Sequence, residues 1–144
     1  MPRILVVDDD MSVRLATQTL LEHEGYEVVV ADGGRGGIEA IATQSFDAVI
    51  VDIFMPGMDG LETIKAFNRN APGVPVIAIS GFLFRNSSAP PPDFLSMSTK
   101  LGAAYSLHKP FRPRELLKAI EACLAADKSS TAKHPEQRRS AASN

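Results

Sequence analysis

Five short apolar runs, spaced at fairly regular intervals, constrain this chain more than any other feature: Ile4-Leu5-Val6-Val7, Val28-Val29-Val30, Ala48-Val49-Ile50-Val51, Val76-Ile77-Ala78-Ile79 and Ala104-Tyr105-Ser106-Leu107. A strand with one wet face alternates apolar and polar residues. The first, third and fourth runs do not alternate and are rich in β-branched residues, the pattern of strands covered on both faces of a parallel sheet.

The stretches between the runs have helical periodicity. Val13, Ala16, Thr17, Leu20 and Leu21 recur at i, i+3, i+4, i+7 and i+8, and Leu116, Leu117, Ile120, Cys123 and Leu124 repeat that spacing. Ile38, Ile41 and Ala42 form a second stripe, Leu61, Ile64 and Phe67 a third, and Phe94, Met97 and Leu101 mark a fourth helix. Boundary residues agree. Asp59 with Glu62 resembles a capping box, Gly25 and Gly102 suit helix C-termini, and Pro113 suits a first helical turn. Strands that alternate with helices are joined by right-handed crossovers. The expected fold is α/β, a flavodoxin-like (βα)5 doubly wound parallel sheet with strand order 2-1-3-4-5.

With 144 residues, 44% of them apolar and 22% charged, the chain can form a single core without disulfide or metal staples. Residues 127–144 carry four basic and two acidic residues and no apolar stripe, leaving 11 basic and 15 acidic for residues 1–126. The expected organisation is a domain over 1–126 and a disordered tail over 127–144. A net charge of −2 gives no bulk electrostatic reason to bind nucleic acid. The single Cys123 excludes an internal disulfide and reads as core filler. Four apolar residues ahead of three aspartates are too few for a signal peptide or a membrane span, so a cytoplasmic location is expected.

In open α/β sheets, ligands bind outside the carboxyl ends of the strands. There this chain places Asp8-Asp9-Asp10, Asp52, Ser80-Gly81 and His108-Lys109-Pro110. Carboxylates brought together repel one another unless a cation neutralises them. Oxygen donors without clustered His or Cys favour Mg2+ over zinc. A lysine beside such a site suggests an anion that comes and goes, and a phosphoryl group fits.

Taken in order on these strand ends, Leu5-Val6-Val7-Asp8-Asp9-Asp10, Val51-Asp52 with Met55-Pro56-Gly57-Met58-Asp59-Gly60, Ile79-Ser80-Gly81 and Lys109-Pro110-Phe111 resemble the receiver domain of bacterial two-component response regulators, of the stand-alone type. The resemblance covers residues 3 to 125. It implies that Asp52 accepts a phosphoryl group from a phosphohistidine on a sensor histidine kinase or histidine phosphotransfer protein. It also implies Mg2+ ligation by Asp9, Asp52 and the Phe54 backbone carbonyl, with Asp8 acting through water and Asp10 a spectator.

Lys109 would pair with a phosphoryl oxygen, Ser80 would reach the phosphoryl group through its hydroxyl, and Gly81 would leave the donor unobstructed. The Lys109-Pro110 peptide would be cis. Tyr105 would turn inward on phosphorylation, with Ser80, and change the surface of the fourth predicted helix, strand five and the fifth predicted helix. Output would pass to an unidentified downstream protein or by onward phosphotransfer.

Two departures from the family pattern stand out. Ser80 and Lys109 are 29 positions apart, with the excess in the Pro-rich Phe82 to Asp93 stretch, and Phe54 and Phe82 flank the site. Both phenylalanines are expected to slow water access and lengthen the phosphoryl lifetime.

Two other functions compete. A haloacid-dehalogenase-like phosphatase also uses a strand-end Asp nucleophile with Mg2+, and Asp8-Asp9-Asp10-Met11-Ser12 can be aligned to its motif. It lacks an acidic pair after the fourth strand and a segment for a cap. A nucleotide or flavin module would need a Gly-rich loop after strand one, where three aspartates stand instead. Gly33-Gly34-Arg35-Gly36-Gly37 follows strand two and reads as a flexible start to a helix.

Overall fold

A computed structural model of the chain describes residues 1–53, 60–80, 103–108 and 111–133. Its elements run β1 (Arg3–Val7), α1 (Met11–His23), β2 (Glu27–Ala31), α2 (Gly34–Thr43), β3 (Ala48–Asp52), α3 (Gly60–Asn70), β4 (Val76–Ser80), β5 (Tyr105–His108) and α4 (Pro113–Lys133). The five apolar runs are the five strands. They form one parallel sheet in the order β2-β1-β3-β4-β5, the order expected.

Successive strand residues point to opposite faces, and the core divides accordingly. Leu5, Val7, Val49, Val51, Val76 and Ala78 pack with Ile41 of α2 and with Ile64 and Phe67 of α3. Ile4, Val6, Ile50, Ile77 and Ile79 pack with Leu21 of α1 and with Leu116, Ile120 and Cys123 of α4. The non-alternating runs are thus covered twice: β3 is buried along its whole length, and Ile4 to Val7 of β1 are 2% exposed or less. Burial of each such aliphatic side chain stabilises by about 1.5–3 kcal/mol.

Helix ends follow local chemistry. Asp10 caps α1, its carboxylate accepting from the Ser12 and Val13 amides at 2.9 and 3.2 Å. Gly25, just past α1, has φ +95°, a left-handed conformation that suits glycine. At α4, Pro113 is the first helical residue and Glu115 Oε1 accepts from the Arg112 amide at 2.7 Å.

At the amino ends of the strands, Arg3 ties three segments together. Its amide donates to Asp47 Oδ2 at 2.8 Å, its Nε to Glu27 Oε2 at 3.0 Å and its Nη1 to the Ser45 carbonyl at 3.4 Å. The opposite rim is left for chemistry.

Some expectations shift. The glycine run that was expected to start a flexible helix instead lets two elements approach: Gly34 and Gly37 are buried in α2. A Cβ at Gly37 would lie 2.8 Å from Val7 Cγ2 and 3.2 Å from Phe67 Cζ. Ala16 of the α1 stripe is exposed, and Thr17 takes the buried position. The last helix continues to Lys133, into the stretch expected as tail. The fourth predicted helix at Phe94 to Leu101, the Phe82 to Asp93 stretch, Asp59, Gly102 and residues 134–144 lie outside the described residues.

Candidate phosphoacceptor site

Parallel strands bring all their carboxyl ends to one rim. The pairing sets Val7 opposite Val51, Asp52 opposite Ile79, and Ser80 opposite His108. From β1 the chain crosses to β2 on one side, while β3 pairs with β1 on the other. The strand order reverses at this point, the place where open α/β sheets bind ligands. Asp8, one residue beyond β1, and Asp52, the last of β3, meet there.

Carboxylate oxygens of Asp8, Asp9 and Asp52 all lie within 4.8 Å of one another. Asp8 and Asp52 are 3% and 5% exposed, whereas Asp9 is open to solvent. Carboxylates held this close repel one another unless a cation neutralises them. The repulsion falls on side chains that the fold has fixed at the ends of β1 and β3. Three hard oxygen donors of this kind suit Mg2+, so the residues present fit the divalent ion that the sequence implied.

The turn that carries Asp8 and Asp9 is closely bonded. The Asp8 amide donates to the Ala31 carbonyl at 3.2 Å, tying the turn to β2. Asp8 Oδ1 accepts from the Asp10 amide at 2.9 Å. Arg14 Nη1 donates to the Asp8 carbonyl at 2.8 Å. On the β3 side, the Ile53 amide donates to the Ile79 carbonyl at 2.9 Å, which continues the β3–β4 ladder just past Asp52.

Residues 4–121 match the family model described as "Response regulator receiver domain". The chain belongs to the response regulator receiver domain family. This receiver domain is 41% identical over 90 residues to "Sensor protein GacS" of Pseudomonas syringae pv. syringae, a stretch that makes up 59% of this chain and 10% of GacS. It is 36% identical over 122 residues to "Response regulator MprA" of Mycolicibacterium vanbaalenii, covering 85% of this chain and 50% of MprA. The chain therefore spans half the length of one of these relatives and a tenth of the other. Among solved structures, a CheY-like response regulator receiver domain protein from Methanospirillum hungatei JF-1 superposes with a TM-score of 0.80 at 32% identity, over 90% of this chain and 98% of that one.

Receiver domains are phosphorylation switches, and an acidic cluster such as Asp8, Asp9 and Asp52 is typical of their phosphoacceptor site. Among the described residues no helix is long and apolar enough to cross a membrane.

The structure brings together three of the residues singled out from sequence, Asp8, Asp9 and Asp52. Ser80 ends β4 at the same rim. Tyr105 opens β5 opposite Ile77 and is 40% exposed. Phe54, Gly81, Phe82, Lys109 and Pro110 lie outside the described residues, as do the side chains of Ser80 and His108. Asp10, expected to be a spectator, is the α1 cap. Arg14 had no motif to flag it; the available signal was a cation in the first turn of a helix, where the helix dipole favours an anion.

Proposed function

We propose that this chain is a phosphorylation switch in which Asp52 receives a phosphoryl group from a phosphohistidine on a sensor histidine kinase or a histidine phosphotransfer protein. The observation that carries this reading is the convergence of the Asp8, Asp9 and Asp52 oxygens within 4.8 Å at the reversal of strand order, in a chain that matches the receiver family over residues 4–121.

In the reaction, an Asp52 carboxylate oxygen attacks phosphorus. The phosphorus–nitrogen bond of the donor breaks, its electron pair returns to the imidazole, and the donor histidine leaves neutral or takes a proton from solvent. Mg2+ would be held by Asp9, Asp52 and the Phe54 carbonyl, with Asp8 acting through water, and when bound it offsets the negative charge of carboxylates and phosphoryl oxygens. Asp52 is buried and fixed by the β3 ladder, so it needs little reorganisation to act as nucleophile. Lys109 pairs with a phosphoryl oxygen, and Gly81 leaves room for the donor.

The new aspartyl phosphate adds charge beside Ser80, whose hydroxyl donates to it, and Tyr105 moves inward from its half-exposed position. The altered surface joins the fourth predicted helix, β5 and α4. It is read by a downstream protein, or the phosphoryl group passes onward, in the cytoplasm. Residues 1–126 hold the switch, and α4, the helix that closes it, runs on to Lys133.

The test is stoichiometry. Incubated with Mg2+ and a small acyl-phosphate donor, the protein is expected to take up one phosphoryl group per chain and to lose this ability in excess chelator. Sustained release of phosphate from phosphate esters, with no stable label, would point to a phosphatase and contradict the switch.

A further inference from the structure

We propose that Arg14 is a positioning residue for the cation site, holding Asp8 and Asp9 in place through the Asp8 backbone carbonyl; the inference rests on reading the acidic triad as the site of a divalent ion. Arg14 lies in the first turn of α1, its amide donating to the Asp10 carbonyl at 2.9 Å. Helical side chains lean toward the N-terminus, and Arg14 folds back over the turn to place Nη1 2.8 Å from the Asp8 carbonyl. Its position is half-buried.

Helix stability does not explain an arginine here. The N-terminal turn of a helix favours anions, which the capping Asp10 carboxylate supplies, whereas a cation at this position opposes the dipole. The arginine instead serves the turn. The Asp8 carbonyl accepts from the guanidinium, and a carbonyl in a buried residue needs donors. A charged, forked donor fixes the orientation of that peptide more tightly than water can. The peptide joins Asp8 to Asp9, two of the three residues whose oxygens converge. With the Asp10 amide holding Asp8 Oδ1 from the other side, Arg14 completes a clamp on the segment that presents both carboxylates.

Two simpler roles make opposite or null predictions. A guanidinium that acted only by its charge would repel a divalent ion, so its removal would tighten binding. One that only satisfied a buried carbonyl would lower thermal stability and leave ion affinity alone. A positioning role predicts weaker binding when the residue is removed, on the order of tenfold, as for other groups that orient metal ligands.

The experiment measures Mn2+ affinity of the full chain by paramagnetic resonance of the free ion, without any phosphoryl donor, for wild type, Arg14→Ala, Arg14→Gln and Arg14→Lys. Arg14→Ala is expected to bind Mn2+ about tenfold more weakly. Arg14→Lys, which restores a charged donor, should recover part of the loss, and exchange of the Asp10 amide should speed up in the ion-free Arg14→Ala protein. If Arg14→Ala does not fold, Arg14→Gln is read by the same criterion. Wild-type affinity or tighter binding in the variant overturns the proposal while leaving the cation site intact. A wild-type protein that binds no Mn2+ overturns the site reading itself, and the proposal with it.

Discussion

Two glycines one residue apart should respond to the same substitution with opposite signs. In Gly37→Ala, the new Cβ would sit 2.8 Å from Val7 Cγ2 and 3.2 Å from Phe67 Cζ. Carbon atoms prefer about 3.5–4.0 Å, so Val7 or the helix must give way by ~1 Å. Val7 is β-branched and fully buried, with little rotamer freedom to yield. Overpacking of this kind costs about 1–3 kcal/mol, against a helix-propensity gain of up to about 1 kcal/mol. The net expectation is a loss of ~1–2 kcal/mol.

At Gly36 the nearest atom to a new Cβ is Ala31 Cβ at 3.5 Å, an ordinary contact. There the propensity gain stands nearly alone, and Gly36→Ala should stabilise by about 0.5–1 kcal/mol. For an m-value near 2 kcal/mol/M, the two variants should differ in urea midpoint by about 1 M. Val7 also immediately precedes Asp8. Displacement of Val7 should therefore weaken Mn2+ binding in Gly37→Ala and leave it unchanged in Gly36→Ala. Equal midpoints for the two variants, or a stabilised Gly37→Ala, would refute the close approach of α2 to β1.

Other outcomes follow from single residues. Asp10→Ala removes the α1 cap and should cost about 1 kcal/mol in urea unfolding, with Asp10→Asn close to wild type. Burial pushes the Cys123 thiol from 9.0 to about 11. A raised thiol pKa contributes stability below the unfolded value that is lost as pH rises from about 9 to about 11, an effect of roughly 2–3 kcal/mol. Unfolding titrated across that window should show this loss, which Cys123→Ala should lack, and the native thiol should react slowly with alkylating reagents at pH 8. In a Tyr26→Phe background, Tyr105 is the sole tyrosine and the chain has no tryptophan. Its fluorescence should become less accessible to acrylamide once the protein is phosphorylated, and unchanged quenching would count against Tyr105 as the switch.

The strands were legible because burial on both faces leaves a direct mark on sequence, an unbroken run such as Val49-Ile50-Val51. The acidic triad was legible for a related reason. Once strands are parallel their carboxyl ends share a rim, so Asp8, Asp9 and Asp52, distant in sequence, need only follow their strands to meet. What could not be read were roles that depend on a partner from elsewhere in the chain. Gly37 looks like a source of flexibility until Val7 and Phe67 are seen against it. Asp10 belongs to a run of three aspartates, and only the direction of its side chain separates a cap from a ligand. Arg14 resembles any helical surface arginine until its hydrogen bond to the Asp8 carbonyl appears.

Mass measurement on the intact protein tests the assignment of Asp52 most directly. Wild type and Asp52→Asn are incubated with Mg2+ and a small acyl-phosphate donor, and each is weighed before and after. Addition of one phosphoryl group to wild type and none to Asp52→Asn is the expected result. Equal labelling of both proteins would place the phosphoryl group on another residue and contradict Asp52 as its acceptor.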